Sequence, residues 1–201
     1  MQPLISQPQI SLDEFEIFAE GLDHPEGLAF DADGNLWAGG ELGQIYKINS
    51  RGKGRTVATL GGFNLGLTFS ARQELFVCNF KLGALIQVDR SGKVIRSWER
   101  AGRYRLRNPN FSVFDREGNL YVTFSGTRGQ QVPVSIFRVR PNGTRETFTS
   151  GLVNPTSMAF DREGRLYVSS RFEGTVYRIG SDGSAEPFAS DRCRLRPGVR
   201  A

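Results

Sequence analysis

The sequence has few of the residues on which several classes of protein depend. Its 201 residues include two cysteines and one histidine. Two cysteines cannot form the disulfide framework of a small secreted domain, which indicates a reducing compartment. Cys78 lies inside the apolar run "LFVCNF", so we expect a buried thiol rather than a redox or metal-binding one. A single histidine, without a paired serine, gives no support to a catalytic triad.

Long apolar runs are also absent. No stretch of 18 apolar residues occurs, so no membrane span is expected. The start, "MQPLISQPQISLDEF", lacks a basic segment followed by an apolar one, which argues against a secretory signal. Together with the cysteine usage, this predicts a cytoplasmic protein.

The net positive charge is small over most of the chain. The net charge is +5, but residues 191–201 hold four arginines and one aspartate, which leaves about +2 for the rest. That balance predicts no nucleic-acid partner. A second basic cluster, "RAGRYRLR" at 100–107, has four arginines. We interpret it as a solvated loop, with anion binding as the alternative.

Glycine and aromatic residues are abundant, with 24 glycines and 11% aromatic residues. This composition favours an all-β chain with many turns. The phrase "HPEGLAFDADGNLW" at 24–37 returns at 154–167 as "NPTSMAFDREGRLY". Four copies of one unit can be aligned, over residues 21–61, 62–102, 103–150 and 151–190.

Each copy contains four segments that read as strands. A short apolar strand leads through a "DxxG" turn to a second strand, such as "LYVTF". A third strand alternates, as in "QIYKI", and a weaker fourth follows another turn. Four antiparallel strands in about 40–45 residues are typical of a β-propeller blade, which must stack on neighbours around an axis. The shared aromatic position of Trp37, Tyr121 and Tyr167 predicts packing between blades.

The repeat also divides the chain. We expect an N-terminal lead at 1–14 and a propeller domain at 15–190, followed by a basic irregular tail at 191–201. The segment "FEIFAEGL" matches "ETFTSGL", so residues 15–20 are predicted to form an outer strand that closes the ring. Because the repeat stops at residue 190, the sequence predicts an incomplete ring, with a truncation or a shifted reading frame favoured over a disordered tail.

The phrases "HPEGLAFDADGNLW", "NPNFSVFDREGNLYVTF" and "NPTSMAFDREGRLYVSS" resemble the gluconolactonase, senescence-marker-protein and LRE-like family. The resemblance spans residues 15–190 and implies a six-bladed propeller with a central divalent cation, often calcium. Some members hydrolyse lactones. NHL-type and strictosidine-synthase-like propellers share much of the phrasing, so the resemblance is stronger for fold than for activity.

The resemblance also implies where a metal site would lie. Glu26, in "E-G", matches one family ligand, and Asn110, in "NPNF", matches another inner-strand site residue. Phe111 replaces the companion aspartate, and Thr156 stands where an "N-G" ligand is usual. In copy two the aligned position is Leu65, and Asn64 lies beside it in the sequence. Glu26 is therefore the candidate metal ligand or catalytic base, with Asn110 as a second ligand.

Three further residues are candidates for the lining of the channel: His24, Asn64 and Thr156. In an extended strand His24 would point the same way as Glu26. However, Asn108 and Asn154 precede prolines as His24 does, which favours a structural role at the turn entering each blade. For Glu26, pairing with a basic neighbour is the alternative to metal ligation. The "DADGN" stretch does not fit a calcium loop, because its glycine stands fourth.

Three functions remain open at this point. The first is a metal-dependent hydrolase of a lactone or related ester, which acts on a small-molecule substrate and uses a divalent cation, with calcium as the favoured one. The second is a non-catalytic NHL-like propeller that binds a protein or small ligand through rim loops such as "SGTRGQQVPVS". The third is an inactive fragment.

Overall fold

Each copy of the repeat folds into one four-stranded antiparallel sheet in the computed structural model, which describes residues 11–190. We call these sheets blades 1 to 4. Within every blade the strands pair in chain order, so each turn joins neighbours in the sheet. The prediction of an all-β chain built from four propeller-type blades is confirmed. The one helical segment in the described range is the single 3-10 turn Leu12–Glu14.

The strand boundaries follow the repeat. Blade 1 comprises β1 (Leu28–Phe30), β2 (Leu36–Gly39), β3 (Gln44–Ile48) and β4 (Gly54–Thr59). Blade 2 comprises β5 (Asn64–Phe69), β6 (Leu75–Asn79), β7 (Ala84–Val88) and β8 (Val94–Trp98). A short hairpin, β9 (Arg100–Ala101) and β10 (Tyr104–Arg105), precedes blade 3. Blade 3 comprises β11 (Pro109–Phe114), β12 (Leu120–Phe124), β13 (Ile136–Val139) and β14 (Arg145–Thr149). Blade 4 comprises β15 (Pro155–Phe160), β16 (Leu166–Ser170), β17 (Thr175–Ile179) and β18 (Ala185–Ser190).

An aspartate organises the turn between the first two strands of blades 1, 3 and 4. In blade 1, Oδ1 of Asp31 accepts hydrogen bonds from the backbone N–H groups of Asp33 at 3.0 Å and Asn35 at 2.8 Å. Asp115 and Asp161 accept equivalent bonds in their own turns. Gly34 supplies the positive φ, 78°, that the turn requires. These segments are therefore strand-connecting turns, as the sequence predicts.

Aromatic rings join neighbouring blades in a repeated geometry. In blades 2, 3 and 4, a phenylalanine at the end of the inner strand packs edge-on against a ring of the preceding blade. The three ring pairs and their centroid separations are Phe69 on Trp37 (5.5 Å), Phe114 on Phe76 (5.4 Å) and Phe160 on Tyr121 (5.3 Å). Inter-blade packing is thus confirmed for two of the three predicted rings. Tyr167 instead packs on Phe188 of its own blade, and Phe30 and Phe188 are 69% and 60% exposed on the outward faces of blades 1 and 4.

The inner strands approach one another closely at the centre. Strands β1, β5, β11 and β15 contact one another in that order. A Cβ added to Gly27 would overlap the carbonyl oxygen of Leu65 in the next blade. A Cβ on Gly66 would lie 2.6 Å from the carbonyl oxygen of Asn110, one blade further. Glycine at these two positions therefore lets the first three inner strands converge.

Residues 15–20 form no strand within the described range, so the closing strand remains a prediction. The carbonyl oxygen of Phe18 nevertheless lies against Gly52 of blade 1, as that of Phe148 lies against Gly183 of blade 4. This places the segment where an outer strand of a preceding blade would run. Most of the N-terminal lead, residues 1–10, and the basic tail, 191–201, lie outside the described residues.

Two further sequence expectations concern burial and membranes. Cys78 is fully buried in the core between blades 2 and 3, and this burial raises the pKa of its thiol to about 12. The prediction that Cys78 is a buried thiol is confirmed. Over residues 11–190, no helix has both the length and the apolar character that a membrane crossing needs.

Candidate functional site

The turn that enters a blade holds one residue in a left-handed backbone conformation. His24, Asn108 and Asn154 have φ values of 41°, 56° and 45°. Such values are uncommon outside glycine, and asparagine and histidine tolerate them better than most residues. In Asn154 the side chain also fixes the loop of the previous blade, because Nδ2 donates to the carbonyls of Ser125 and Thr127. The structural role predicted for this position is present.

His24 also connects two carboxylates. Its Nδ1 lies 3.0 Å from Oε2 of Glu41, and its Nε2 lies 3.4 Å from Oε1 of Glu26. The ring packs against Phe63 with a centroid separation of 5.6 Å. All three polar side chains are about half exposed. His24 is therefore the basic neighbour of Glu26, and it contacts the carboxylate just before the first inner strand, β1, begins.

Glu26, Leu65, Asn110 and Thr156 occupy equivalent positions of the repeat. The last three are the second residues of their inner strands, and Glu26 lies two residues before β1. The structure brings these strands together, as the contacts of Gly27 with Leu65 and of Gly66 with Asn110 demonstrate. Leu65 contributes no oxygen ligand and is buried. Thr156 uses its hydroxyl within blade 4, where Oγ1 lies 2.8 Å from Oγ of Ser169. Glu26 and Asn110 are thus the two remaining oxygen-bearing side chains of this set, and of these Glu26 is paired with His24 at its half-exposed carboxylate.

Asn64 is placed inside the protein rather than against open space. It is completely buried, its Nδ2 donates to the carbonyl of Gln44 at 3.1 Å, and its Oδ1 accepts from Asn79 Nδ2 at 2.8 Å. Asn79 also donates to the carbonyl of Gly61 at 2.7 Å. The two amides therefore tie blade 1 to blade 2, and a buried amide needs such partners.

The donor set suits a hard cation in kind but not in number. Calcium prefers hard oxygen ligands such as carboxylate and amide oxygens and takes roughly six to eight of them. One oxygen each from Glu26 and Asn110 leaves about four to six to be supplied. Among residues 11–190 no three histidine, cysteine, aspartate or glutamate side chains form a group able to hold a metal ion. This chain can therefore provide part of a coordination sphere, and water or other groups would have to complete it.

Two contacts among the loops of the structure were not predicted from the sequence. Glu41 lies in the turn between β2 and β3, 17 residues after His24, and nothing in the local pattern indicates that they meet. The basic segment 100–107 lines clefts together with the long loop 125–134 of blade 3. Each segment stands out in the sequence, since one is rich in arginine and the other lengthens its repeat. Their contact is visible only in the fold.

Comparison with known proteins supports the propeller architecture. A model of the strictosidine synthase-like N-terminal family matches residues 11–48. Among solved structures, a gluconolactonase from Xanthomonas campestris matches with 20% identity and a TM-score of 0.75 over 87% of this chain and 65% of that one. A second protein, described as a putative gluconolactonase, matches with 19% identity and a TM-score of 0.72 over 86% and 65%. No curated protein matches significantly.

The same fold carries other chemistry. A streptogramin B lyase matches with 15% identity and a TM-score of 0.68 over 86% of this chain and 57% of that one. The chain thus spans 57–65% of the length of these three structures. Identities this low show a common fold and leave the reaction to be argued from the residues of the site. At the level of fold, the resemblance seen in the sequence is confirmed.

Proposed function

We propose that this chain belongs to a metal-dependent hydrolase of a lactone or related ester, with Glu26 and Asn110 as ligands of a divalent cation. The observation that carries the proposal is the equivalent position of these two oxygen-bearing side chains on converging inner strands. The fold, shared with gluconolactonases, adds support. We assign calcium to this site because calcium prefers hard oxygen ligands such as carboxylate and amide oxygens.

A bound cation would polarise the carbonyl of the ester and stabilise the oxyanion that forms when water attacks. Glu26 has one of two roles in such a site. It either binds the cation directly or accepts the proton of the attacking water. In both roles it must be ionised and correctly oriented, and His24, 3.4 Å away and supported by Glu41, restricts where its carboxylate can lie.

The neighbouring side chains suit a neutral ester better than a phosphate substrate. Around Glu26 the described part of the chain offers one histidine, one further carboxylate and the ring of Phe63. Two carboxylates would repel a phosphate group, whereas a neutral lactone experiences no such repulsion. We therefore assign a neutral, oxygen-rich small molecule to this end of the propeller.

The proposal is tested by assaying a panel of sugar lactones and simple aryl esters with and without a chelator. We expect hydrolysis that the chelator removes and that added calcium restores. The Glu26→Gln variant should be inactive under the same conditions, whereas Glu74→Gln, which changes a carboxylate outside this cluster, should retain activity. Absence of hydrolysis with every substrate, in a folded protein that binds calcium, would reject the enzymatic part of the proposal.

The second candidate is a non-catalytic propeller that binds a small ligand through its rim loops. It is favoured by the loop 125–134, which lines a cleft beside the hairpin β9–β10. A protein that binds a ligand there and hydrolyses none of the lactones would support this second function.

A further inference from the structure

Two segments that are unusual in the sequence meet between blades 2 and 3. Residues 103–107 include the second strand of the hairpin β9–β10 and the two residues after it, and residues 126–134 belong to the long connection between β12 and β13. Together they line a cleft of about 390 Å³. A second cleft of about 330 Å³ adjoins it and extends to the turn 80–83 of blade 2. Arg105 and Arg107 line both clefts, so they lie where the two meet.

The charge of this double cleft is of one sign. Its described lining includes three arginines and one lysine, and no aspartate or glutamate; the four are Arg103, Arg105, Arg107 and Lys81. A larger cleft of about 680 Å³ between blades 3 and 4 is different, because its four arginines are matched by four acidic residues. A third cleft, on other residues of blades 2 and 3, has three arginines and two glutamates in its lining, a net charge of +1. The double cleft carries the larger positive charge of the three, and its described lining has no acidic residue to offset it.

Among residues 11–190, the two central arginines, Arg105 and Arg107, form no ion pair. The arginines that form ion pairs in the described range are Arg90, Arg138, Arg140, Arg165 and Arg178. On the hairpin itself, Arg100 donates to the carbonyl of Arg103, and Arg103 donates to the hydroxyl of Tyr104. Arg105 and Arg107 have no such partner there, so their guanidinium donors are available to a ligand. Guanidinium groups bind carboxylate and phosphate oxygens with paired, charge-assisted hydrogen bonds.

The floor of the larger cleft is apolar and firmly held. Leu106, Phe124, Val132 and Val134 line it and are each less than 10% exposed. The N–H of Leu106 donates to the carbonyl of Glu99 at 2.8 Å, and that of Val132 donates to the carbonyl of Leu152 at 3.0 Å. Asn154 adds a bond from Gly129 to its Oδ1 at 2.6 Å. Arginine side chains thus stand at the edge of a fixed apolar surface rather than on a free loop.

We propose that this cleft binds a small organic anion, with its phosphate or carboxylate group on Arg105 and Arg107 and its apolar body on Leu106 and Val132. The combination of unpaired guanidinium groups and a buried apolar floor is what such a molecule requires. The ligand class is distinct from the neutral ester assigned to Glu26. The site does not depend on the hydrolase proposed above; it rests on the second candidate function, a ligand bound through the rim loops, and names the class of that ligand.

The test uses phenyl phosphate, benzoate and phenol, which share a ring and differ in the charged group. Isothermal titration calorimetry should detect binding of one or both anions and no binding of phenol. The variant Arg105→Gln/Arg107→Gln should bind the anions at least tenfold more weakly. The matched control, Arg51→Gln/Arg55→Gln, removes the same charge from blade 1 and should bind within twofold of the wild type.

The phosphate and carboxylate arms identify which anionic group the site prefers. Thermal unfolding of both double variants establishes that they are folded before the titrations are compared. Equal loss of affinity in the two double variants would show a general effect of net charge and overturn the proposal. Binding of phenol as tight as that of the anions would overturn it too. A mixed-sequence oligonucleotide that binds more tightly than every small anion, and loses that binding in the Arg105→Gln/Arg107→Gln variant, would assign the surface to a polyanion instead.

Discussion

The indole Nε1 of Trp37 donates a hydrogen bond of 2.9 Å to Oδ2 of Asp31, in the first turn of blade 1. The same carboxylate oxygen lies 3.0 Å from the ammonium of Lys47, whose nitrogen is 5.1 Å from the centroid of the Trp37 ring. One buried carboxylate therefore ties together a turn, the second strand and the third strand of the blade. Tyr121 repeats part of this arrangement in blade 3, where its hydroxyl donates to Asp115 at 3.1 Å.

Replacement of Asp31 should destabilise the protein more than replacement of its counterpart in blade 4. The side chain of Asp31 is 3% exposed and that of Asp161 is 23% exposed. Asp31→Asn leaves Lys47 without its ionic partner, which we expect to cost about 2–4 kcal/mol of the free energy of unfolding. Asp161→Asn should cost roughly 1 kcal/mol or less. Urea denaturation of both variants measures the difference, and equal losses would contradict this account of the buried network.

Stability should also depend on this carboxylate at low pH. Burial opposes ionisation of Asp31, but hydrogen bonds from Trp37 and Asn35 and the contact with Lys47 outweigh it and hold its pKa well below the usual range. A carboxyl group with a lowered pKa stabilises the fold above its unfolded pKa, which is about 3.9, and loses that contribution as the pH falls further. The free energy of unfolding should therefore fall from about pH 4 downward, and less steeply in Asp31→Asn. Parallel curves for the two proteins would contradict the prediction.

Calcium affinity should depend strongly on Glu26 and only weakly on Glu41, the second carboxylate that contacts His24. Glu26→Gln removes the charged ligand, and we expect calorimetry to show calcium binding that is at least about tenfold weaker. Glu41→Gln keeps Glu26 and should change the affinity by less than about threefold, because it acts only through His24. Equal affinity of the wild type and Glu26→Gln would remove Glu26 from the metal site. A thermal shift measurement confirms that each variant is folded.

The thiol of Cys78 should be inert in the native protein. It is fully buried, and its pKa is raised to about 12, so neither access nor ionisation favours alkylation at pH 8. Mass spectrometry of the peptide that contains Cys78 should show no modification by iodoacetamide in buffer and complete modification in denaturant. Rapid labelling of the native protein would show that the interface between blades 2 and 3 opens readily.

A methyl group at Gly27 should disturb the centre of the propeller. Its Cβ would overlap the carbonyl oxygen of Leu65, which is backbone and cannot turn aside as a side chain could. We expect Gly27→Ala to lower the free energy of unfolding by about 1–3 kcal/mol or more. Gly54→Ala is the matched control, since its nearest atom is a side-chain carbon 3.3 Å away. Near-equal stability of the two variants would show that the inner strands are not held as close as the structure indicates.

The repeat of the sequence predicted the architecture because its signals are local. The "DxxG" turns are closed by hydrogen bonds between residues two and four apart, as for Asp31 with Asp33 and Asn35. The equivalence of His24, Asn108 and Asn154 predicted their structural role, and their positive φ values agree with it. Such features need only a few neighbouring residues, so they recur wherever the same phrase recurs.

The site could be predicted only in part. The resemblance to lactonase-type propellers selected Glu26 and Asn110, and the fold brings their strands together, but their role as ligands stays a prediction. Asn64 was a candidate for the channel, yet it lies buried against Asn79. Its amide is drawn inward because the entry to blade 2 packs against the turn that begins blade 1's third strand, a contact that no local pattern records.

By itself, the sequence determined that this chain forms repeated four-stranded blades and which residues shape each turn, since those choices depend on hydrogen bonds within one unit. Only the tertiary structure decided which polar groups remain available. It paired His24 with Glu41, enclosed Asn64, and placed Arg105 and Arg107 beside the loop 125–134, with no acidic partner from the part of the chain that the structure describes. The reason is that these relationships arise between blades, where packing around a common axis sets distances that spacing along the chain cannot encode.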